Sequence, residues 1–203
     1  MPGLTIGDTI PNLEVETTHG RLKLHEYVGD GWAVIFSDPG GSTPELAKMA
    51  QYENEFRKRG VKLLGVSCGF VDPFSSKVSF PVVVDRRREV IRELNMVEPE
   101  DKDDDGRDLP SRALHVVAAD KRIKLSIVYP AVAGQNAGEV VRAVDSLQAT
   151  ARHRVATPVN WKPGEPVVIS PSVPKEEADR MFPQGYHTVD LPSKKSYLRL
   201  TKL

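Results

Sequence analysis

The sequence predicts an α/β fold with one sizeable core and a C-terminal extension. Apolar runs at 32–36 and 61–67 read as buried strands, and between them, over 44–59, apolar residues recur at helical spacing. A strand, a helix and a strand in this order predict a crossover unit with parallel strands. With 203 residues and 39% hydrophobic content, the chain is long enough to bury such a core.

The remaining elements follow from local patterns along the chain. Alternation in the first part predicts a hairpin that turns at His19 and Gly20, and the charge-dominated stretch 98–108 predicts a solvated loop. Further elements are predicted as a core strand at 80–84, a short helix at 86–94, a hairpin of 113–117 with 123–128, and a helix at 137–151.

Beyond Thr157 the composition changes. This part holds seven of the 16 prolines and shows little regular periodicity, apart from a short helix predicted over 175–181. We interpret it as an extension docked on the core or on a partner.

Charge and cysteine content exclude several classes of function. Lysine plus arginine and aspartate plus glutamate number 28 each, so no nucleic-acid partner is expected, and no apolar run approaches a membrane span. The N-terminus shows no secretory pattern, and Cys68 is the one cysteine, so we expect a reducing, cytoplasmic location. The five histidines lack ligand spacing, so no metal or cofactor is expected.

The segment from Pro39 to Leu46 is the most informative part of the chain. It follows a buried strand and opens a helix, where unpaired backbone N–H groups favour an anion. A cysteine in that first turn would have a low pKa and be nucleophilic at neutral pH. The sequence has none there, so the turn looks built for a thiolate that is missing.

Long stretches of the chain match a known family. They are Pro2-Gly-Leu-Thr-Ile-Gly-Asp-Thr, Arg59-Gly-Val-Lys-Leu-Leu-Gly, Leu109-Pro-Ser-Arg112, Trp161-Lys-Pro-Gly-Glu and Met181-Phe-Pro-Gln-Gly. Along its whole length the chain resembles the 1-Cys peroxiredoxins, in particular the peroxiredoxin 6-like members of plant seeds. The resemblance implies a thioredoxin-like fold of peroxiredoxin type over 1–156 and a dimer-associated C-terminal extension over 157–203. It also implies thiol-dependent reduction of hydrogen peroxide and organic hydroperoxides, without a cofactor.

The resemblance also locates the family's reactive site. Its cysteine lies in a Pro-x-x-x-Thr-x-x-Cys motif, of which Pro39 and Thr43 remain, while a Val-Cys-Thr-Thr segment is absent between Pro44 and Glu45. The match at Leu-Pro-Ser-Arg adds Arg112, so Pro39, Thr43 and Arg112 are the surviving site residues. A second, longer gap follows Cys68.

These residues also have ordinary structural interpretations. Thr43 with Pro44 serves equally well as the cap and first position of a helix, and Arg112 as an ion-pair partner of Asp38 or of a neighbouring carboxylate. Cys68 is interpreted as a small buried hydrophobe, with a compensating redox thiol as the alternative.

Three alternatives for function stay open at this point. In the first, the chain is a weakly active or inactive peroxiredoxin. In the second, it is a non-catalytic paralogue that forms homodimers or forms heterodimers with active relatives. In the third, its gaps come from an incorrect gene model or splice choice. Two separated basic positions, Arg180 and Lys194-Lys195, resemble parts of a nuclear localisation signal. Nuclear entry therefore stays an alternative to a purely cytoplasmic location.

Overall fold

The computed structural model of the chain describes residues 3–39, 44–69 and 78–203. It divides into an N-terminal unit, Met1–Ala137, and a C-terminal unit, Gly138–Leu203. The predicted limits of the family domains, at residues 156 and 157, stay a prediction.

The N-terminal unit contains nine strands and three helices among its described residues. In chain order they are β1 (Glu14–Thr17), β2 (Gly20–Lys23), α1 (Leu24–Val28), β3 (Trp32–Asp38), α2 (Pro44–Lys58), β4 (Val61–Ser67), β5 (Val82–Val84), α3 (Glu89–Glu93), β6 (Val97–Lys102), β7 (Asp108–Pro110), β8 (Arg112–Val117) and β9 (Ile123–Tyr129).

Seven of these strands form one mixed sheet in the order β2-β1-β5-β4-β3-β8-β9. The three central strands β3, β4 and β5 run parallel, whereas β8 and β9 on one side and β1 and β2 on the other are antiparallel to their neighbours. The predicted parallel crossover unit is therefore confirmed as β3-α2-β4. The fold is mixed α/β with the thioredoxin-like arrangement that the resemblance implies.

Close packing holds α2 against β4. Gly65 lies in the middle of β4, and a Cβ placed there would approach the Leu46 side chain to 3.1 Å. The missing side chain lets the helix lie close to the strand. On the adjacent strand, the Phe36 ring meets Phe80 edge-on with ring centroids 5.9 Å apart, which extends the buried core toward β5.

The charge-rich stretch 98–108 is not the predicted solvated loop. It forms the antiparallel pair β6 and β7 with a turn in which Gly106 has a φ of +74°. The Asp103 carboxylate accepts the backbone N–H groups of Asp105 and Arg107 at 3.0 and 2.9 Å and pairs with Arg88 at 2.7 Å. The prediction of a loop was wrong because these residues form a hydrogen-bonded hairpin, whereas the predicted exposure to solvent agrees with the structure for most of the stretch.

The C-terminal unit also carries more regular structure than predicted. Its elements are α4 (Ala137–Arg152), β10 (Val155–Ala156), β11 (Val167–Ile169), α5 (Lys175–Met181), β12 (His187–Thr188) and β13 (Arg199–Thr201).

The two predicted helices of this region are confirmed, α5 with its predicted limits. The four strands form an antiparallel sheet in the order β10-β11-β13-β12, which the sequence analysis missed. Each strand is two or three residues long, too short for the period-two alternation that marks a strand in a sequence. A separate apolar cluster around Trp161, Val167, Ile169 and Phe182 stabilises them instead.

The remaining predictions agree with the structure to within a few residues. Both hairpins form, while helix α1 was not predicted. Across the described ranges, no helix combines the length and apolar character needed to cross a bilayer.

Candidate active site

The carboxyl ends of the three parallel strands meet at one edge of the sheet. Asp38 ends β3 and Ser67 ends β4, and these two residues are register partners. Ser67 in turn pairs with Val84, the last residue of β5. Pro39, Cys68 and Asp85 therefore follow three neighbouring strand ends, the position where α/β folds place reactive groups.

Arg112 reaches the same edge from the antiparallel strand β8. Phe36 pairs with Leu114, and the same register continued by two residues brings Asp38 opposite Arg112. The Arg112 side chain is half-buried, and its Nε donates to the carbonyl oxygen of Ala131 at 2.6 Å. The structure thus brings Pro39 and Arg112 to one edge, as the resemblance implies.

Ser37 fixes the backbone on both sides of Arg112. Its buried hydroxyl donates to the carbonyl oxygen of Ser111 at 2.5 Å and accepts the backbone N–H of Ala113 at 2.9 Å. The residues on both sides of Arg112 are therefore held by one side chain of β3.

Thr43, the third predicted site residue, lies outside the described residues, and its role stays a prediction. Pro39 is half-buried in the turn that follows β3.

Cys68 occupies an environment that disfavours a thiolate. The side chain is half-buried, packs against the main core cluster and carries a free thiol. Burial, followed by the negative charge of Asp85, raises the pKa of the Cys68 thiol to about 12. Arg88 and Arg92 act in the opposite direction but are outweighed.

Asp85 is a residue of this edge that the sequence analysis missed. Its side chain is buried, and its carboxylate accepts the backbone N–H groups of Glu89 and Ile91 at 3.0 and 2.9 Å. It thereby satisfies the first turn of α3. An aspartate between a buried strand and a helical pattern is the sequence signal that could have identified it.

His115, which the sequence analysis did not place in the site, is a buried structural residue of β8. Its Nε2 donates to the carbonyl oxygen of Leu94 at 2.7 Å, and its Nδ1 lies 2.8 Å from the Ser126 hydroxyl. Burial lowers the pKa of His115. In residues 3–39, 44–69 and 78–203, no three His, Cys, Asp or Glu side chains converge as a metal site would require.

The family models match both parts of the chain. Residues 6–126 match the AhpC/TSA family, and residues 146–185 match the C-terminal domain of 1-Cys peroxiredoxin. The first match spans the sheet edge described above and covers more than half of the chain. The chain belongs to the 1-Cys peroxiredoxin family.

Full-length relatives and solved structures agree with this assignment. The chain is 56% identical to a 1-Cys peroxiredoxin of Hordeum vulgare and 55% identical to one of Zea mays, with 100% of both chains covered in each case. A crystal structure of a cysteine-to-serine variant of peroxiredoxin 6 from Arenicola marina superposes with a TM-score of 0.91 at 39% identity, covering 98% of each chain. A yeast mitochondrial 1-Cys peroxiredoxin gives a TM-score of 0.84 at 34% identity, covering 98% of this chain and 100% of that one.

Members of this peroxiredoxin family reduce peroxides. The sheet edge described above belongs to the fold on which the family carries out this reaction. The alignment with the Hordeum vulgare relative runs over 219 positions, whereas this chain has 203 residues. At least 16 aligned positions are therefore gaps in this peroxiredoxin, more than the four residues of the missing Val-Cys-Thr-Thr segment.

Proposed function

We propose that this chain is a peroxiredoxin-family protein with little or no peroxidase activity of its own, which acts by pairing with other peroxiredoxin subunits. The observation that carries the proposal is the environment of Cys68, its one thiol. That thiol follows β4, is half-buried against the core, and has its pKa raised to about 12.

The chemistry of the family explains why this environment matters. A thiolate attacks one oxygen of the peroxide, the O–O bond breaks, the sulfur becomes a sulfenic acid, and the other oxygen leaves as hydroxide or alkoxide that takes up a proton. With a pKa of about 12, only about 10⁻⁵ of the Cys68 thiol is ionised at neutral pH. We therefore expect slow oxidation at this position.

The surviving site residues do not replace the sulfur. The Arg112 guanidinium donates a hydrogen bond to the Ala131 carbonyl and can orient or stabilise charge, but it cannot supply two electrons. The gaps in the alignment with the barley relative are consistent with loss of the segment between Pro44 and Glu45.

Peroxide consumption by the purified protein tests the catalytic half of the proposal. We expect a rate below that of free cysteine for the wild type and little change in the Cys68→Ser variant. Wild-type turnover far above free thiol that disappears in Cys68→Ser would contradict the proposal.

An insertion tests whether the scaffold is otherwise intact. Placing Val-Cys-Thr-Thr between Pro44 and Glu45 is expected to raise the rate by at least about a hundredfold, since the nucleophile of such a site contributes orders of magnitude. Val-Ser-Thr-Thr at the same place is the matched control and is expected to stay inactive. Sequencing the transcript across these codons distinguishes a true gap from an incorrect gene model.

The edge of the main sheet supports the pairing half of the proposal. In the described sheet β9 is an outer strand with β8 on one side, and Val128 on it and Val132 just after it are 58% and 93% exposed. An outer strand with exposed apolar side chains is suited to pairing with a second chain. The partner we propose is another peroxiredoxin subunit, the same chain or an active relative.

Native mass spectrometry of the protein mixed with an active plant 1-Cys peroxiredoxin tests this pairing. We expect mixed dimers, and we expect Val128→Lys to reduce them strongly. Val159→Lys, at a position that is 88% exposed in the C-terminal unit, is the matched control. Absence of both mixed and homomeric dimers would contradict the proposal.

We also propose a cytoplasmic location, because a single free cysteine suits a reducing compartment. Nuclear entry through the basic residues Lys194 and Lys195 is the alternative. Imaging of a fluorescent fusion, with both lysines changed to Gln as the control, distinguishes the two.

A further inference from the structure

A cleft of about 620 Å³ lies within the C-terminal unit. It is bounded by the start of α5, by β12 and β13, and by the segment that joins these two strands. Its polar lining comes mainly from Lys175, Tyr186, Lys194, Lys195, Tyr197 and Arg199. None of the described residues that line it is an aspartate or a glutamate.

Arg199 is the fixed element of this cleft. It belongs to β13 and is 7% exposed, so its charge is buried more deeply than a surface arginine. Its Nη2 donates to the carbonyl oxygens of Val173 and Ser170 at 2.6 and 3.2 Å, and the Tyr186 ring centroid lies 5.7 Å from the guanidinium carbon. These contacts hold the guanidinium in one place.

One donor of this guanidinium is not used. Within the described part of the chain, the buried Nε–H of Arg199 has no hydrogen-bond partner. A buried charged group with an unpaired donor is costly. The Nε atom has almost no accessible surface, so an anion in the neighbouring cleft would act on it through its charge, without direct contact.

The cleft also carries an excess of positive charge. Lys175 is paired with Asp179 at 3.0 Å, and the same carboxylate accepts the Tyr186 hydroxyl at 2.8 Å. The ammonium groups of Lys194 and Lys195 have neither an ion pair nor a hydrogen bond among the described residues. Asp179 does not line the cleft, but its charge also interacts with Arg199. The cations of the lining are Lys175, Lys194, Lys195 and Arg199, so the positive charge still exceeds that of this one carboxylate.

We propose that this cleft binds a soluble small molecule with a phosphate monoester, whose phosphate lies against Arg199, Lys194 and Lys195. A phosphate carries nearly two negative charges at neutral pH and offers three oxygen acceptors, which matches several cations better than a single carboxylate does. The guanidinium supplies directional donors, while the lysines supply mobile charge. The cleft volume falls in the range of small-molecule sites, which leaves space for more than the phosphate itself.

Calorimetric titration of the full chain with AMP tests the proposal, with adenosine as the uncharged control. We expect saturable binding of AMP that weakens as salt increases, displacement by inorganic phosphate, and no binding of adenosine. Changing Lys194 and Lys195 together to Gln is expected to weaken AMP binding about tenfold or more, because two of the cations that line the cleft are lost. Lys162→Gln, an exposed lysine outside the cleft, is the matched control and is expected to bind as the wild type does.

Nuclear magnetic resonance provides a readout that depends on Arg199 itself. In ¹⁵N-labelled wild-type protein, the Arg199 Nε–H resonance is expected to shift on addition of AMP and to stay in place with adenosine. This measurement requires no substitution in β13 and so avoids a variant that fails to fold.

Several outcomes would overturn the proposal. In the titrations these are the absence of saturable AMP binding up to about 10 mM, adenosine binding as tight as AMP binding, and a loss of affinity in Lys162→Gln as large as in the double lysine variant. In the resonance measurement it is an Arg199 Nε–H signal that does not shift at saturating AMP. Binding to vesicles that contain phosphatidic acid without binding to AMP would instead assign the cleft to a membrane surface and would also overturn it.

Discussion

The hydroxyl of Ser37 donates to the carbonyl oxygen of Ser111 at 2.5 Å and also contacts the backbone on both sides of Arg112. Ser37 lies in the central strand β3, whereas Ser111 precedes the antiparallel strand β8. A single buried side chain thus fixes the backbone on both sides of Arg112, the arginine that the resemblance predicts as a site residue.

Ser37→Ala is expected to lower the free energy of unfolding by about 1–3 kcal/mol, because it leaves buried backbone groups without partners. Denaturant unfolding measures the change. The exposed Ser193→Ala is the control and is expected to stay within about 0.5 kcal/mol of the wild type. An equal effect of both variants would show that the Ser37 contacts contribute nothing specific.

The Cys68 thiol is expected to react slowly with thiol reagents in the native protein. A pKa of about 12 lowers the thiolate fraction at neutral pH by about a thousandfold relative to an ordinary cysteine, and burial restricts access further. Labelling rates measured in buffer and in denaturant provide the comparison. Native labelling as fast as labelling of the unfolded chain would refute the assigned environment.

The stability of the protein is expected to fall as the pH drops below about 6.5, the ordinary value for histidine. Burial lowers the pKa of His115, so the unfolded chain binds a proton there more readily than the folded one. The stability contributed by neutral His115 is complete above the unfolded value and is lost as the pH falls through it, at up to about 1.4 kcal/mol per pH unit.

Denaturant unfolding between pH 5 and pH 8 measures this dependence. His115→Gln is expected to be less stable at neutral pH and to show a shallower slope below the histidine range. His19→Gln, in the exposed turn between β1 and β2, is expected to keep the wild-type slope. A slope unchanged by His115→Gln would assign the pH dependence to other groups.

Asp103→Asn is expected to loosen the β6–β7 hairpin while leaving the main sheet intact. The backbone N–H of Arg107, followed by the Arg88 side chain, holds the pKa of the Asp103 carboxyl below its usual range. The charged form therefore stabilises the hairpin above the ordinary value for aspartate, and this contribution is lost as the pH falls through the lowered pKa.

Amide hydrogen exchange at Asp105 and Arg107 measures the loosening. Exchange at both sites is expected to be faster in Asp103→Asn, with no change in β3 and β4. The neighbouring Asp104→Asn is the control, since its side chain is exposed. Unchanged exchange in Asp103→Asn would contradict the assigned role.

Elements with long apolar runs or clear helical spacing were predictable. A buried crossover is the arrangement that the pattern of β3, α2 and β4 favours. Apolar runs of five to seven residues on either side of an amphipathic helix bury their apolar surface when the helix packs on the two strands. The β6–β7 hairpin was not predictable in this way, because its stability depends on charges that meet across a turn.

The candidate site, like the fold, was only partly predictable from the sequence. Family resemblance located Pro39 and Arg112, and the register of β3 with β8 brings their strand ends together. The deep burial of Asp85 and its effect on Cys68 depend on the packing of α3 against the sheet edge, which no local pattern records.

Residue identity and short-range periodicity were sufficient to predict the family, the central crossover and the presence of a single thiol. The solvation of that thiol, the backbone groups that hold Arg112, and the placement of a buried arginine and two lysines on one cleft of the C-terminal unit became visible in the folded chain. Solvation and charge proximity depend on residues far apart in the chain, and the distances between them exist only after folding.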